Sequence, residues 1–138
     1  MPTSDLMKSM HIAASGMRAQ SDRLKVVSQN IANSESIGTR EGEDPYRRKI
    51  LTFKNVMDRQ MEIEKVQVGK RGYDDAPFQM RYEPNHPMAD EKGYVKYPNV
   101  NPLVEMMDMR EARRGYEANL NVIEVSKGML MQTINMLR

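Results

Sequence analysis

Two histidines are the first side chains in this chain to test for chemistry. His11 lies in the N-terminal segment and His86 lies among prolines, far away in the sequence. Neither has acids at ligand spacing beside it, and one histidine cannot close a metal site. Cysteine is absent, which excludes thiol catalysis, disulfides and cysteine-based zinc sites. We therefore predict no catalytic, metal or cofactor-binding residues, and we expect His86, between Asn85 and Pro87, to shape a turn.

Paired acids are the second candidate, because a glycosidase needs two carboxylates about 5–10 Å apart in a cleft. The acids here are scattered among turn formers, without apolar residues to form a pocket around them. They are Glu41, Glu43 and Asp44, then Glu62 and Glu64, Asp74 and Asp75, and Asp90 and Glu91. The glycines that flank Lys70 and Arg71 do not match the spacing of a phosphate-binding loop. We predict that the chain is not an enzyme and has no small-molecule substrate.

Charge and hydropathy exclude two further classes. The 21 basic and 19 acidic residues give a net charge of +2, too balanced for a nucleic-acid-binding protein. No apolar run approaches the roughly 20 residues that span a bilayer, so we expect no membrane span. The N-terminal apolar residues are spaced rather than continuous, so we also expect no cleaved secretory signal.

The elements that dominate the chain are two segments with heptad apolar spacing, one at each end. A 4/3 spacing is typical of a coiled-coil seam, which a single helix cannot bury alone. With Gly16, whose small size favours close approach of a neighbouring helix, the N-terminal interface residues are Leu6, Met10, Ala13, Gly16, Met17, Gln20, Leu24, Val27 and Ile31. The C-terminal ones are Met106, Met109, Arg113, Tyr116, Leu120, Ile123, Lys127, Leu130, Ile134 and Leu137. We predict that both sets form subunit interfaces.

Polar and small residues modify these seams. Gln20, Arg113 and Lys127 either fix register and partner choice as buried polar groups or extend their ends to water, and both interpretations stay open. A second set, seven apart, lies beside the C-terminal seam: Ala112, Asn119, Ser126 and Thr133. We expect these small side chains to leave room for a second neighbour.

The middle of the chain lacks this spacing. Residues 46–53, 65–68 and 78–82 have strand patterns, residues 54–64 are ambiguous, and residues 84–102 carry four prolines and are expected to form an irregular strap. Asn101 and Pro102 predict the start of the second helix. We therefore predict a mainly α protein with three parts: an N-terminal helix (1–33), an extended or β-hairpin middle (34–100) and a C-terminal helix (101–138). The two long helices form a coiled-coil-like bundle.

Residues 14–33 closely resemble the N-terminal signature of the bacterial flagellar rod, hook and axial protein family. Residues 116–120 are similar to that family's C-terminal helix, while residues 44–49 and 86–100 resemble its proximal rod members. Distal rod and hook proteins carry a large inserted domain, for which this chain is too short. The resemblance extends from about residue 6 to residue 137 and is weakest between residues 55 and 76.

The resemblance implies a structural subunit of the flagellar basal-body proximal rod. Such proteins leave through the flagellar type III export apparatus without signal cleavage and assemble in the periplasm. Their terminal helices polymerise into a hollow shaft that transmits torque and lets exported subunits pass. The implied partners are other copies, other rod proteins and a small adaptor at the base. Two alternatives stay open: a cytoplasmic coiled-coil adaptor that binds a partner helix, and a cell-wall glycosidase.

Overall fold

A computed structural model describes residues 2–40 and 42–137. Within them the elements in chain order are α1 (Pro2–Ala32), β1 (Lys49–Asp58), β2 (Ile63–Tyr73), β3 (Gln79–Tyr82), β4 (Tyr94–Tyr97) and α2 (Pro102–Met136). β1 pairs with β2 and β3 pairs with β4, giving two separate two-stranded sheets. The prediction of two long helices with a small β middle region is confirmed, while the coiled-coil-like bundle stays a prediction.

The ends of the helices follow from local capping. Asn101 precedes α2, its Oδ1 accepts the Leu103 N–H at 3.1 Å, and Pro102 takes the first helical position, as predicted. At the end of α1, the Asn33 side chain donates to the Gln29 carbonyl at 2.8 Å, which satisfies an acceptor of the last turn. α1 begins at Pro2.

The hairpin of β1 and β2 occupies most of the segment that was ambiguous. β1 continues to Asp58, whose Oδ1 accepts the N–H groups of Gln60 and Met61, and Glu62 completes the turn with a φ of 54°. Asp58 also binds Lys65 on the returning strand. No helical turn forms here because the side chain of Asp58 organises a tight turn between two extended strands.

The expectation of a wholly irregular strap over residues 84–102 is wrong in one place. Tyr94 and Tyr97 bound the short strand β4, which pairs antiparallel with β3 so that Tyr82 lies opposite Tyr94. The turn before it is set by Asp90, which accepts the Tyr94 N–H at 2.8 Å, and by Gly93 at a φ of 82°. The prolines lie outside the four paired residues, so they do not interrupt the ladder.

The chain divides into two compact units, the first built from three segments and the second from two. Unit 1 comprises Met1–Leu24, Thr52–Lys70 and Arg110–Arg138. Unit 2 comprises Lys25–Leu51 and Arg71–Met109, so each long helix contributes to both units. The three-part division predicted from the sequence stays a prediction, because this grouping by contacts does not test it.

In unit 1, α1 and α2 pack antiparallel. The hydroxyl oxygens of Ser9 and Ser126 lie 3.1 Å apart, and Arg23 pairs with Glu111. Residue numbers therefore increase along α1 in the direction in which they decrease along α2. The hairpin joins this pair where the Val66 N–H donates to the Ser15 hydroxyl at 3.3 Å. The buried apolar residues are small except for one: Ala13, Ala19, Ala112 and Ile63.

In unit 2, the buried core mixes apolar and polar side chains. Val27, Val95 and Val100 are buried, and so are Asn30 and Glu105, the latter without any exposed surface. Gln79 of β3 donates to the Val100 carbonyl, which ties the small sheet to the segment that leads into α2. A buried polar pair in so small a core requires a complete set of hydrogen-bond partners.

Candidate assembly interface

The contact between α1 and α2 in unit 1 is made by small side chains. Asn119 faces Gly16, Ser126 meets Ser9, and Ala112 is fully buried. These are members of the set that we expected to leave room for a second neighbour. In the subunit α1 of the same chain occupies the space beside these residues, since small side chains let two helix backbones approach closely; a neighbour from another subunit beside this set stays a prediction.

The residues of the predicted seams fall into three classes of exposure. Ala13 and Val27 are buried. The half-buried ones are Leu6, Met10, Gly16, Met17, Gln20, Leu24, Ile31, Met109, Tyr116, Ile123 and Leu130. The exposed ones all belong to the C-terminal set: Met106, Arg113, Leu120, Lys127, Ile134 and Leu137. The C-terminal seam is therefore split, with alternate members turned toward solvent, and its role as a subunit interface stays a prediction.

The exposed part of α2 in unit 1 carries apolar residues on two sides. Flank A consists of Val122, Val125, Met129 and Met136, and flank B consists of Leu120, Met131 and Ile134, all of them exposed. At 3.6 residues per turn, each flank lies about 90° to one side of the line through Ala112, Asn119 and Ser126 that faces α1. Val125 is 57% exposed and Met136 is 81% exposed. An isolated subunit rarely leaves two such stripes open to water.

Flank A was missed by the sequence analysis, although its signal was present. Val122, Val125, Met129 and Met136 are separated by three, four and seven residues, a second heptad stripe on the same helix. The analysis followed only the stripe that contains Met109 and Tyr116. A search for every apolar stripe on α2, rather than for the best one, would have found it.

The two segments that resemble the terminal signatures of flagellar axial proteins meet in unit 1. Gly16 lies within residues 14–33 and Asn119 lies within residues 116–120. A Cβ at position 16 would stand 2.8 Å from Asn119 Nδ2. Gln20 lies in the same way against Gly115, where an added Cβ would stand 3.2 Å from Gln20 Nε2. Both signatures are thus used in one helix–helix contact.

A polar cluster organises unit 2 around Glu105. Its carboxylate accepts hydrogen bonds from Arg48 Nε at 2.5 Å and from Asn30 Nδ2 at 3.1 Å. Arg48 also pairs with Asp74 at 3.3 Å. Asn30 completes the cluster by accepting the Tyr46 hydroxyl at 2.9 Å. These contacts join α1, the segment that leads into β1, and α2, so the cluster fixes how those segments meet within the unit.

The cluster changes the pKa values of its members in directions that follow from these contacts. Desolvation acts to lower the pKa of Arg48, but the hydrogen bond and charge of Glu105, with those of Asp74, outweigh it and raise the pKa. The backbone N–H of Ala76, followed by Arg48, lowers the pKa of Asp74. Burial raises the pKa of the Tyr46 hydroxyl. Each shift favours the ionisation state that the folded unit uses at neutral pH.

The side chains that could have done chemistry have structural roles. His86 Nδ1 accepts the Met88 N–H at 3.1 Å, so it shapes a turn as predicted, and His11 is exposed on α1. Asp90 accepts the N–H groups of Lys92 and Tyr94, and Glu43 accepts those of Thr39 and Arg40. Across the described ranges, no three His, Cys, Asp or Glu side chains gather to hold a metal ion. Neither long helix is apolar enough over the described residues to cross a membrane.

Two family profiles match the segments that form α1 and α2. One, described as "Flagella basal body rod protein", matches residues 10–35, and another, "Flagellar basal body rod FlgEFG protein C-terminal", matches residues 91–136. The flagellar basal-body rod protein FlgC of Agrobacterium fabrum is 50% identical over 127 residues, covering 92% of this chain and 91% of that protein. The chain belongs to the FlgC family of flagellar basal-body rod proteins.

Relatives from other bacteria extend the match. FlgC of Bacillus subtilis is 38% identical, with 91% of this chain and 94% of that protein covered, and FlgC of Escherichia coli O6:H1 is 37% identical, with 95% and 97% covered. The chain is therefore a structural subunit of the flagellar basal-body rod and not an enzyme, which confirms both predictions made from the sequence. Membership of this family excludes the glycosidase alternative.

Proposed function

We propose that this chain polymerises through its terminal helices into the proximal part of the rod, using the exposed flanks of α2 as its lateral contacts. The observation that carries the proposal is the pair of apolar stripes on either side of the α1-facing line of α2. A helix in the wall of a tube has a neighbour on each side, and this helix offers an apolar stripe on each side. Family membership indicates that the assembly is the rod, and flanks A and B are the surfaces through which neighbouring subunits would contact this chain.

In this setting the expected partners are other copies of the chain, other rod proteins and a small adaptor at the base. The subunit passes through the flagellar type III export apparatus and assembles in the periplasm. The finished rod is hollow, transmits torque from the motor to the hook and lets later subunits pass. α1 has 31 residues and α2 has 35, which corresponds to lengths of about 45–55 Å at 1.5 Å per residue. Long helices suit this task because each one supports many contacts in parallel.

Paired serine substitutions on each flank test the proposal. Val125→Ser with Met129→Ser removes the centre of flank A, and Met131→Ser with Ile134→Ser removes the centre of flank B. Each side chain is about half exposed in the subunit, so burying the rest in an assembly contributes about 1 kcal/mol per side chain. We expect each pair to reduce swarming in a deletion strain and to reduce the amount of subunit found in isolated basal bodies.

The matched control is Gln132→Ser with Asn135→Ser, which changes two exposed polar positions of the same helical stretch. It should leave swarming and incorporation unchanged. Far-UV circular dichroism of each purified variant separates loss of assembly from loss of folding. Normal incorporation of both flank variants would refute the proposal, and retention of the wild-type chain in the cytoplasm would favour the adaptor alternative.

A further inference from the structure

Two glycines in unit 1 each face the amide side chain of the opposite helix. A Cβ at position 16 would lie 2.8 Å from Asn119 Nδ2 and 3.1 Å from Asn119 Cγ. A Cβ at position 115 would lie 3.2 Å from Gln20 Nε2 and 3.3 Å from Gln20 Cδ. Each amide therefore fills the space that an ordinary residue on the other helix would need.

The arrangement is reciprocal because both helices carry the same spacing. Gly16 is followed four residues later by Gln20, and Gly115 is followed four residues later by Asn119. Residues four apart lie on one face of a helix, so antiparallel packing brings each glycine opposite an amide. A shift by one turn in one direction would bring the two amides together, and in the other direction it would bring the two glycines together.

The side chain of Asn119 is held firmly enough to make such a shift costly. Asn119 Nδ2 donates to the Gly115 carbonyl at 2.9 Å, so the side chain cannot swing away from Gly16 without losing that bond. Gln20 Oε1 is buried without a hydrogen-bond partner in the described part of the chain. A polar group buried in this way costs stability, and buried polar groups in helix seams set register. An apolar side chain at position 20 would pack without that cost.

We propose that the Gly16–Asn119 and Gly115–Gln20 contacts form a register lock, which fixes the residues of α2 that lie opposite α1 and so aligns flanks A and B for assembly. The two glycines and the two amide residues act as positioning residues within the helix pair. The lock itself rests on the geometry within unit 1. Its role in assembly rests on the proposed function.

Disulfide formation in a chain that has no natural cysteine measures the register directly. Ser9→Cys with Ser126→Cys reports the observed register, because the two serine oxygens are 3.1 Å apart. Ser9→Cys with Leu130→Cys reports the shift by one turn that brings the two amides together, since Leu130 lies four residues beyond Ser126 on α2. The ratio of the two oxidation yields gives the preference for the observed register at equal protein concentration.

Single and double substitutions in this background test the lock. Gly16→Ala should lower the ratio roughly tenfold, the effect expected from overpacking a close contact. Adding Asn119→Ala should restore the ratio, because it removes the atoms that the new methyl group meets, whereas adding Gln20→Ala should not. Gly115→Ala should also lower the ratio, and here adding Gln20→Ala should restore it whereas adding Asn119→Ala should not. Gly128→Ala is the control, as no atom lies within 4 Å of its added Cβ.

The possible results separate the lock from its role in assembly. An unchanged ratio in Gly16→Ala would overturn the lock. Loss of both disulfides together with loss of helical circular dichroism would also overturn it, since the contact would then only stabilise the helix pair. Swarming should fall with the ratio and recover in the Gly16→Ala, Asn119→Ala double variant. A changed ratio with normal swarming would retain the lock and refute its role in assembly, while normal incorporation of the flank variants would refute the proposed function independently.

Discussion

Replacing Glu105 by glutamine should destabilise the protein far more than the same change at an exposed glutamate. The substitution preserves the shape of the side chain and removes its charge. Glu105 has no exposed surface and accepts hydrogen bonds from Arg48 and Asn30. In the variant, Arg48 loses its shortest carboxylate contact, and the new amide N–H₂ group faces two donors rather than acceptors.

The size of the effect follows from what Arg48 retains. Removing one partner of a buried ion pair typically costs about 3–5 kcal/mol. Arg48 is 23% exposed and keeps Asp74 at 3.3 Å and Asp108 at 3.7 Å, so its charge stays partly compensated. We therefore expect Glu105→Gln to lower the free energy of unfolding by about 2–3 kcal/mol, at the lower end of that range or just below it.

Urea denaturation at pH 7, followed by far-UV circular dichroism, measures this change. With a slope of about 1–3 kcal/mol per molar urea, the midpoint should fall by roughly 1–2 M. Glu117→Gln is the matched control on the same helix, because Glu117 pairs with Arg113 at 58% and 75% exposure. Exposed pairs contribute about 0–1 kcal/mol, so its midpoint should barely move.

A double substitution separates the ion pair from the fold around it. Arg48→Met in the Glu105→Gln background removes the uncompensated charge, and it should recover part of the lost stability. Equal midpoint shifts for Glu105→Gln and Glu117→Gln would refute the reasoning. So would a double variant that loses the sum of the two single losses, because the two side chains would then act independently.

Three further predictions concern pH and helix stability. Because the folded pKa of Asp74 is lowered, its contribution to stability is present above about pH 4 and is lost as pH falls through that folded pKa; Asp74→Asn should flatten the acid limb of a stability–pH curve. The pKa of Tyr46 is raised, so its pH dependence has the opposite sign: its contribution to stability is present below about pH 10 and is lost as pH rises through the folded pKa. Tyr46→Phe should remove one late-titrating tyrosine from a titration followed by absorbance at 295 nm. Gly128→Ala should raise stability by about 1 kcal/mol in thermal denaturation, since its added Cβ meets no atom within 4 Å.

Local signals in the sequence were sufficient for the helix ends and for most strands. Asn101 and Pro102 gave the start of α2 because capping depends on the first turn alone. The strand β4 was not predictable in the same way. Its four residues become a strand because β3 lies beside them, and that pairing spans the loop set by Asp90 and Gly93. The prolines indicate irregular structure on either side of β4, but they do not exclude a short strand between them.

The polar cluster of unit 2 lay beyond prediction for a different reason. Glu105 in the first turn of a helix is ordinarily a solvated side chain that suits the helix dipole. Its burial depends on Arg48, which is 57 residues away in the chain, and on Asn30. A charged residue offers no local sign that a distant partner will accompany it into the core.

The position of the α2 seam shows most directly what hydropathy can and cannot establish. Large apolar residues such as Leu120 and Ile134 were expected in the seam, with the small residues Asn119 and Ser126 beside it. Within the subunit these small residues contact α1, whereas Leu120 and Ile134 are exposed. Hydrophobic periodicity detects surface that must be buried somewhere, without distinguishing the core of a subunit from the contacts of an assembly. In this subunit the close packing of α1 on α2 uses small residues, and the exposed apolar side chains of α2 are the ones that we propose for contacts with its neighbours.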